Sequence, residues 1–154
     1  MWFTSDQHFF HHNVLEYCKR PFKSAHEMNE TIIANYNALV SPSDTVYMLG
    51  DLGILNSSAL PKLESVIQRL NGNKHLILGN HDMYKPFTYV RMGFVSVHTS
   101  LEVEGFYLAH EPAVHKSGPV LCGHVHEKWL RQANVVNVGV DVWDFKPVHL
   151  AELV

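Results

Sequence analysis

Short apolar runs alternate with amphipathic stretches along the first half of the chain. Met1 to Thr4 reads as a short buried strand with Asp6 just beyond it. Ser24-Ala25-His26-Glu27 has the form of a capping box, in which Ser24 accepts from the Glu27 amide and Glu27 reaches back. Met28, Ile32, Tyr36 and Leu39 then recur at helical spacing and predict one apolar helix face. Thr45 to Leu49 predicts a buried strand ending at Gly50-Asp51. Leu60, Leu63, Ile67 and Leu70 form a second helical stripe that Asn71-Gly72 stops, with Pro61 in the first turn, where its missing amide does little harm.

His75 to Leu78 is again strand-like and runs into Gly79-Asn80-His81-Asp82. Phe94 to Val97, Leu101 to Val103 and Phe106 to Ala109 suggest antiparallel strands, the last ending at His110. Pro119 to Cys122 leads into Gly123-His124-Val125-His126, and Val135 to Val140 and Val148 to Leu153 close the chain as strands. Early β-α-β units followed by a β-rich half predict an α/β protein with mixed strand pairing, and 154 residues suit one domain over 1–154.

Composition changes this picture mainly by exclusion. The apolar (46%) and charged (18%) fractions are those of ordinary globular chains. A net charge of -3 supplies no basic field for generic nucleic-acid binding. No apolar run reaches membrane-spanning length, and the N-terminus lacks a basic, apolar leader, so a cytoplasmic location is expected. Cys18 and Cys122 are too few for a disulfide framework and read as buried thiols. Histidine is the unusual count: 12, several clustered with Asp or Asn, which points to bound metal.

One event recurs along the chain. A short apolar strand ends, and potential metal ligands follow: Asp6-Gln7-His8, Gly50-Asp51, Gly79-Asn80-His81-Asp82, His110, and Gly123-His124-Val125-His126. Ligands in open α/β sheets gather outside the carboxyl ends of strands, where such clusters can converge. Residues spaced i, i+2 on extended chain point the same way, so Asp6 with His8 and His124 with His126 are expected to act as pincers. Glycines before Asp51, Asn80 and His124 allow close backbone approach. Nitrogen and oxygen donors without thiolate suit borderline divalent ions.

The order D-x-H, G-D, G-N-H-D, H, G-H-x-H resembles the motif set of the calcineurin-like metallophosphoesterase superfamily, with all five blocks present in order. Asp6-Gln7-His8-Phe9-Phe10-His11-His12-Asn13 and Cys18-Lys19-Arg20-Pro21-Phe22 further resemble its small bacterial and phage branch. That branch carries glycine near Phe10, so the phenyl ring is expected to narrow the approach to the metals. The resemblance implies a four-layer α-β-β-α sandwich of two mixed β-sheets flanked by helices, with the site at one sheet edge.

It also implies a ligand set. Asp6, His8 and His126 would hold one divalent ion, Asn80, His110 and His124 the other, and Asp51 would bridge them. Manganese is the first expectation for both ions, with Fe, Zn or Ni as alternatives. Hydrolysis of phosphomonoesters or phosphodiesters, nucleotides included, would proceed by in-line attack of a metal-bridging hydroxide. His81 would contact phosphate and protonate the leaving group, and Asp82 would orient it. Asn13 and Arg20 are the expected phosphate contacts, and one of His11 and His12 stands even between facing substrate and plain exposure.

His26, His75, His98, His115 and His149 are read as surface or satisfied histidines. The expected partner is a small phosphorylated substrate. No arginine follows Asp51, which speaks against the serine/threonine phosphatase and diadenosine tetraphosphatase subfamilies. Ile54 stands where purple acid phosphatases carry a tyrosine. The alternative from another class is a catalytically silent scaffold of the same fold, a class in which the ligand set is lost.

Overall fold

A computed structural model describes residues 1–53 and 56–154; Ile54, with the subfamily reading placed on it, lies outside the described residues. Ten strands form two five-stranded mixed sheets. The first has the order β10-β1-β2-β3-β4: β1 (Trp2–Thr4), β2 (Thr45–Met48), β3 (Asn73–Ile77) and β4 (Ser96–His98) are parallel, and β10 (Val148–His149) runs antiparallel to β1. The second has the order β5-β6-β7-β9-β8, from β5 (Ser100–Val103), β6 (Phe106–Ala109), β7 (Val120–Cys122), β8 (Arg131–Gln132) and β9 (Val135–Asn137). In it β6, β7 and β9 are parallel, and β5 and β8 pair antiparallel at the two edges.

Alternation along the strands splits the apolar residues into layers. Val46, Met48 and Leu76 face the helices α2 (Ala25–Leu39), α3 (Leu60–Arg69) and α4 (Pro86–Met92), meeting Ile32, Leu63, Ile67 and Tyr89. Phe3, Leu49 and Ile77 face the other way and meet Leu108, Leu121 and Val136 of the second sheet. Each such side chain contributes about 1.5–3 kcal/mol by leaving water, so the two sheets are held face to face. On the outer face of the second sheet, Val120, Cys122 and Val135 pack with Ala113, Tyr107 and Trp129. Ala113 and Trp129 are loop residues, so loops rather than a helix cover that face.

Helix α2 is capped as the sequence predicts, by Ser24 Oγ accepting from the Glu27 amide at 3.0 Å; Glu27 reaches back one residue further, accepting from the Lys23 amide. Several boundaries differ from expectation. β4 joins the first sheet in parallel with β3, because α4 supplies a crossover that the sequence reading missed. The stretch after Asn137 leaves the sheet as a 3-10 turn at Val140–Val142, and Val148 to Leu153 pairs only at Val148–His149 before another at Leu150–Glu152. The first departure follows a switch of partner: Val138 still donates to the Cys122 carbonyl, but Gly139 bridges to Ser5 and Val140 donates to the Ser5 carbonyl, which draws the chain out of its own sheet toward the end of β1. Among the described residues, no helix is long and apolar enough to cross a membrane.

Candidate metal centre

Parallel pairing puts the carboxyl ends of β1, β2 and β3 side by side, and β6 and β7 end opposite them. The five histidine- and aspartate-bearing clusters follow these five strand ends. Their backbones are not extended. Asp6 (φ 58°), His8 (φ 52°), Asp51 (φ 55°), His124 (φ 71°) and His126 (φ 50°) all occupy the left-handed region, which is uncommon outside glycine though better tolerated by Asp and His, and which persists only where the surroundings enforce it. The expected pincers therefore do not arise from strand alternation. Tight coils turn each side chain inward.

The packing that enforces these coils is visible at two glycines. A Cβ on Gly123 would collide with Ser5 Oγ and Asp6 Oδ2, and one on Gly79 with the Asp51 carboxylate and amide. Only hydrogen fits, so loops from different strands approach at backbone distance.

Two groups of donors result. Asp6, His8 and His126 offer ligand atoms within 4.8 Å of one another, and so do Asp51, His110 and His124. Asn80 Oδ1 joins the second group, 2.9 Å from His110 Nε2 and 3.2 Å from His124 Nδ1. Asp51 Oδ2 lies between the groups, 3.3 Å from His110 Nε2 and 3.6 Å from His8 Nε2. All seven sequence-predicted ligand residues thus meet in one place.

Hydrogen bonding shows which ring nitrogens face inward. The Leu49 carbonyl, 2.6 Å from His110 Nδ1, can only accept, so that nitrogen carries the proton and Nε2 is left unprotonated in the neutral ring. His8 turns Nδ1 toward His11 Nδ1 at 3.3 Å. His8 Nε2 and Asp6 Oδ1 are buried, 3.9 Å apart, and have no protein hydrogen-bond partner among the described residues. Orphaned donor atoms in such a place are expensive unless something cationic completes them. The residues fit a metal.

Electrostatics agree. Burial pushes the Asp6 carboxyl up from its usual range, against the pull of His110 and His126. For Asp51 burial also opposes ionisation, but the bond and charge of His110, with the His81 amide and His8, bring it down to about 2. Burial works against a charge on His110 and His126, yet Asp51 and Asp6 raise His110 to about 9, and Asp141 with Cys18 and Asp6 raises His126 to about 10. Burial lowers His8 to about 3, so it is neutral. Protonated imidazoles here occupy the place that cations would otherwise neutralise.

Other expected site residues fall elsewhere. His81 is exposed at the rim, its ring 5.7 Å from that of His8, while its amide donates to Asp51 Oδ1 at 2.9 Å. Asp82 does not orient the His81 ring. Its carboxylate accepts from the amides of Gly79, Asp51 and Leu52 at 2.7, 2.8 and 3.1 Å, locking the loops that carry Asn80 and Asp51 together. Burial lifts it to about 6 despite those bonds.

Arg20 is corrected in the same way. Its side chain is 0% exposed, and all its donors are taken, by both Asp141 oxygens, the Asp6 and Gln7 carbonyls and Met28 Sδ. No phosphate can reach it. Asn13 is exposed, beginning the short helix α1 (Val14–Tyr17) with its side chain making no cap bond. His11 packs on His8, and His12 is exposed. Phe10 does not narrow the approach, since it packs against the helical layer beside Asn29.

Asp141 is the residue that sequence reasoning missed. It sits 3.3 Å from His126 Nδ1, and Cys18, His126 and Asp141 form a third cluster. Asn137, read from the sequence only as part of the Val135 to Val140 strand, donates to the His126 and Trp129 carbonyls at 2.9 and 3.0 Å. Only the recurrence of Asn and Asp in Asn137-Val138-Gly139-Val140-Asp141 hinted at either.

No family model matches the chain. The uncharacterized protein MJ1445 of Methanocaldococcus jannaschii is 35% identical over 163 residues, spanning 97% of this chain and 86% of that protein. The Gene 66 protein of Mycobacterium phage L5 is 33% identical over 81 residues, 53% of this chain and 39% of that protein. Among solved structures, the protein of unknown function AQ665 from Aquifex aeolicus shares the fold, with TM-score 0.77, 24% identity and coverage of 99% and 96% of the two chains. The Pseudomonas putida nuclease MPE gives TM-score 0.56 and 27% identity over 80% of this chain and 60% of that one. Likeness to a nuclease, together with the histidine and aspartate clusters, fits a metal-dependent phosphoesterase in general. Sharing 35% of aligned residues along nearly its whole length, the chain belongs to the family of the uncharacterized protein MJ1445.

Proposed function

We propose that the protein is a dinuclear metallophosphoesterase of the calcineurin-like superfamily that hydrolyses small phosphomonoesters or phosphodiesters. The observation that carries this reading is Asp51 Oδ2, placed between two donor groups, one of which contains the orphaned Asp6 Oδ1 and His8 Nε2. Asp6, His8 and His126 would hold one ion, Asn80, His110 and His124 the other, and Asp51 both. Such ions supply Lewis acidity for a phosphoryl group and activate water near neutral pH. Manganese remains the first choice for this nitrogen- and oxygen-donor set.

The chain's own residues do the rest. His81, exposed beside the donors, is placed to bind a phosphate oxygen and pass a proton to the leaving group. Asn13, exposed, is retained as a phosphate contact. A groove of about 570 Å³ opens beside Asn80 and His110, walled by Tyr107, Pro112, Ala113 and His115. Its size suits the organic part of a nucleotide-sized ester. Glu111 is its acidic wall residue, and among the described residues no lysine or arginine lines it, which favours a small ester over a polyanionic strand.

The test is turnover of p-nitrophenyl phosphate and bis(p-nitrophenyl) phosphate after chelation and after return of manganese. Activity is expected to vanish with chelator and return with the ion. No turnover of either compound, nor of a nucleotide panel, by protein carrying two ions would favour the scaffold reading instead.

Metal uptake is also expected to release protons. His110 at about 9 and His126 at about 10 are charged at pH 7, and only neutral imidazole binds a cation. Affinity should therefore rise with pH from neutrality toward 10. Calorimetry in buffers of different ionisation enthalpy measures the protons; none released near pH 7 would contradict this.

A further inference from the structure

Resting on the metal-site reading above, we infer that Arg20 and Asp141 are a positioning pair that sets the geometry of the Asp6/His8/His126 half of the centre. They lie 121 positions apart in sequence and meet through two parallel bonds, Nε to Oδ1 and Nη2 to Oδ2, each 2.9 Å. Each partner also grips a different ligand loop. The Arg20 guanidinium donates to the Asp6 carbonyl at 2.6 Å and the Gln7 carbonyl at 2.8 Å, holding the strained turn that carries Asp6 and His8. Asp141 Oδ2 faces His126 Nδ1 at 3.3 Å.

With each oxygen bonded to the Arg20 guanidinium, the Asp141 carboxyl group acts as the acceptor, so His126 Nδ1 donates to it and Nε2 is left to ligate. Asp141 thus fixes the tautomer and rotation of one ligand, while Arg20 fixes the backbone of two others. Among the described residues, neither side chain hydrogen-bonds to the second donor group of Asp51, Asn80, His110 and His124.

Cys18, His126 and Asp141 also satisfy the distance criterion for a cation site of their own. That alternative is disfavoured here, because the guanidinium occupies both Asp141 oxygens and its charge repels a cation. The Arg20 and Asp141 side chains are 0% and 2% exposed, and an ion pair so buried gains little stability over a hydrophobic pair. Its presence is better explained by what it positions.

The experiment is stepwise Mn2+ binding, by calorimetry and equilibrium dialysis, to the wild type, Asp141→Asn and the double variant Arg20→Met/Asp141→Leu. Wild type is expected to bind two ions. Asp141→Asn is expected to weaken one ion about 10–100-fold and leave the other within about threefold. The double variant removes both charges together but leaves the Asp6 and Gln7 carbonyls without a donor, so its metal-free melting temperature is expected to fall while the protein stays folded and shows the same one-ion defect. Equal weakening of both ions, or no weakening in either variant, overturns the inference, as does a third ion in wild type that Cys18→Ser removes. Failure of wild type to bind any ion would instead sink the metal-site reading itself.

Discussion

Asp51→Asn is expected to lose both ions together and to lower hydrolysis by about 10³-fold or more. The substitution keeps size and shape, so the change is one of charge. Asp51 Oδ2 sits 3.3 Å from His110 and 3.6 Å from His8, one member of each donor group. An amide there presents either a neutral oxygen, which can serve one ion as Asn80 would but offsets the charge of two poorly, or an N–H, which repels a cation. Ion-derived stabilisation of developing charge amounts to several kcal/mol, and about 4 kcal/mol corresponds to roughly 10³ in rate. Metal analysis of dialysed protein alongside phosphate-release rates checks both halves. Retention of one ion at wild-type affinity would show that Asp51 serves a single site.

His81→Ala is expected to keep both ions and lose about 10²–10⁴ in rate on esters with alkoxide leaving groups. Separation of the two effects follows from the backbone. The His81 amide, which alanine retains, makes the 2.9 Å bond to Asp51 Oδ1, while the ring stands exposed outside both donor groups. Loss should be much smaller with p-nitrophenyl phosphate, whose leaving group departs without a proton. Equal loss on both substrates would mean that His81 binds phosphate rather than delivering a proton. Loss of metal would make it a ligand.

Much of this architecture was legible because local pattern and chemistry coincide. The capping serine at position 24, the stripe Leu60-Leu63-Ile67-Leu70 and the runs before Asp6, Asp51, Asn80, His110 and His124 each announce an element or its end. The ligand types are readable for the same reason, since His, Asp and Asn placed just past apolar strands have few structural uses in that density. Less legible was α4, whose Pro86–Met92 stretch is too short to establish a period, and with it the parallel pairing of β4. The roles of Arg20 and Asp82 were misread because sequence shows a charge without showing its partner. Arg20 finds Asp141 across 121 residues, and Asp82 finds amides of the Asp51 loop 30 and 31 residues away.

The sequence alone determined the alternation of strands and helices and the order of the His, Asp and Asn clusters past the strand ends, because these depend on side-chain type and short-range spacing. Only the tertiary structure decided that the ligand turns are left-handed coils and that Asp51 lies between two donor groups. It alone showed that Asp141 stands behind His126. Those facts depend on which loops pack against which, down to a glycine hydrogen beside a carboxylate, and no local pattern encodes contacts between distant parts of the chain.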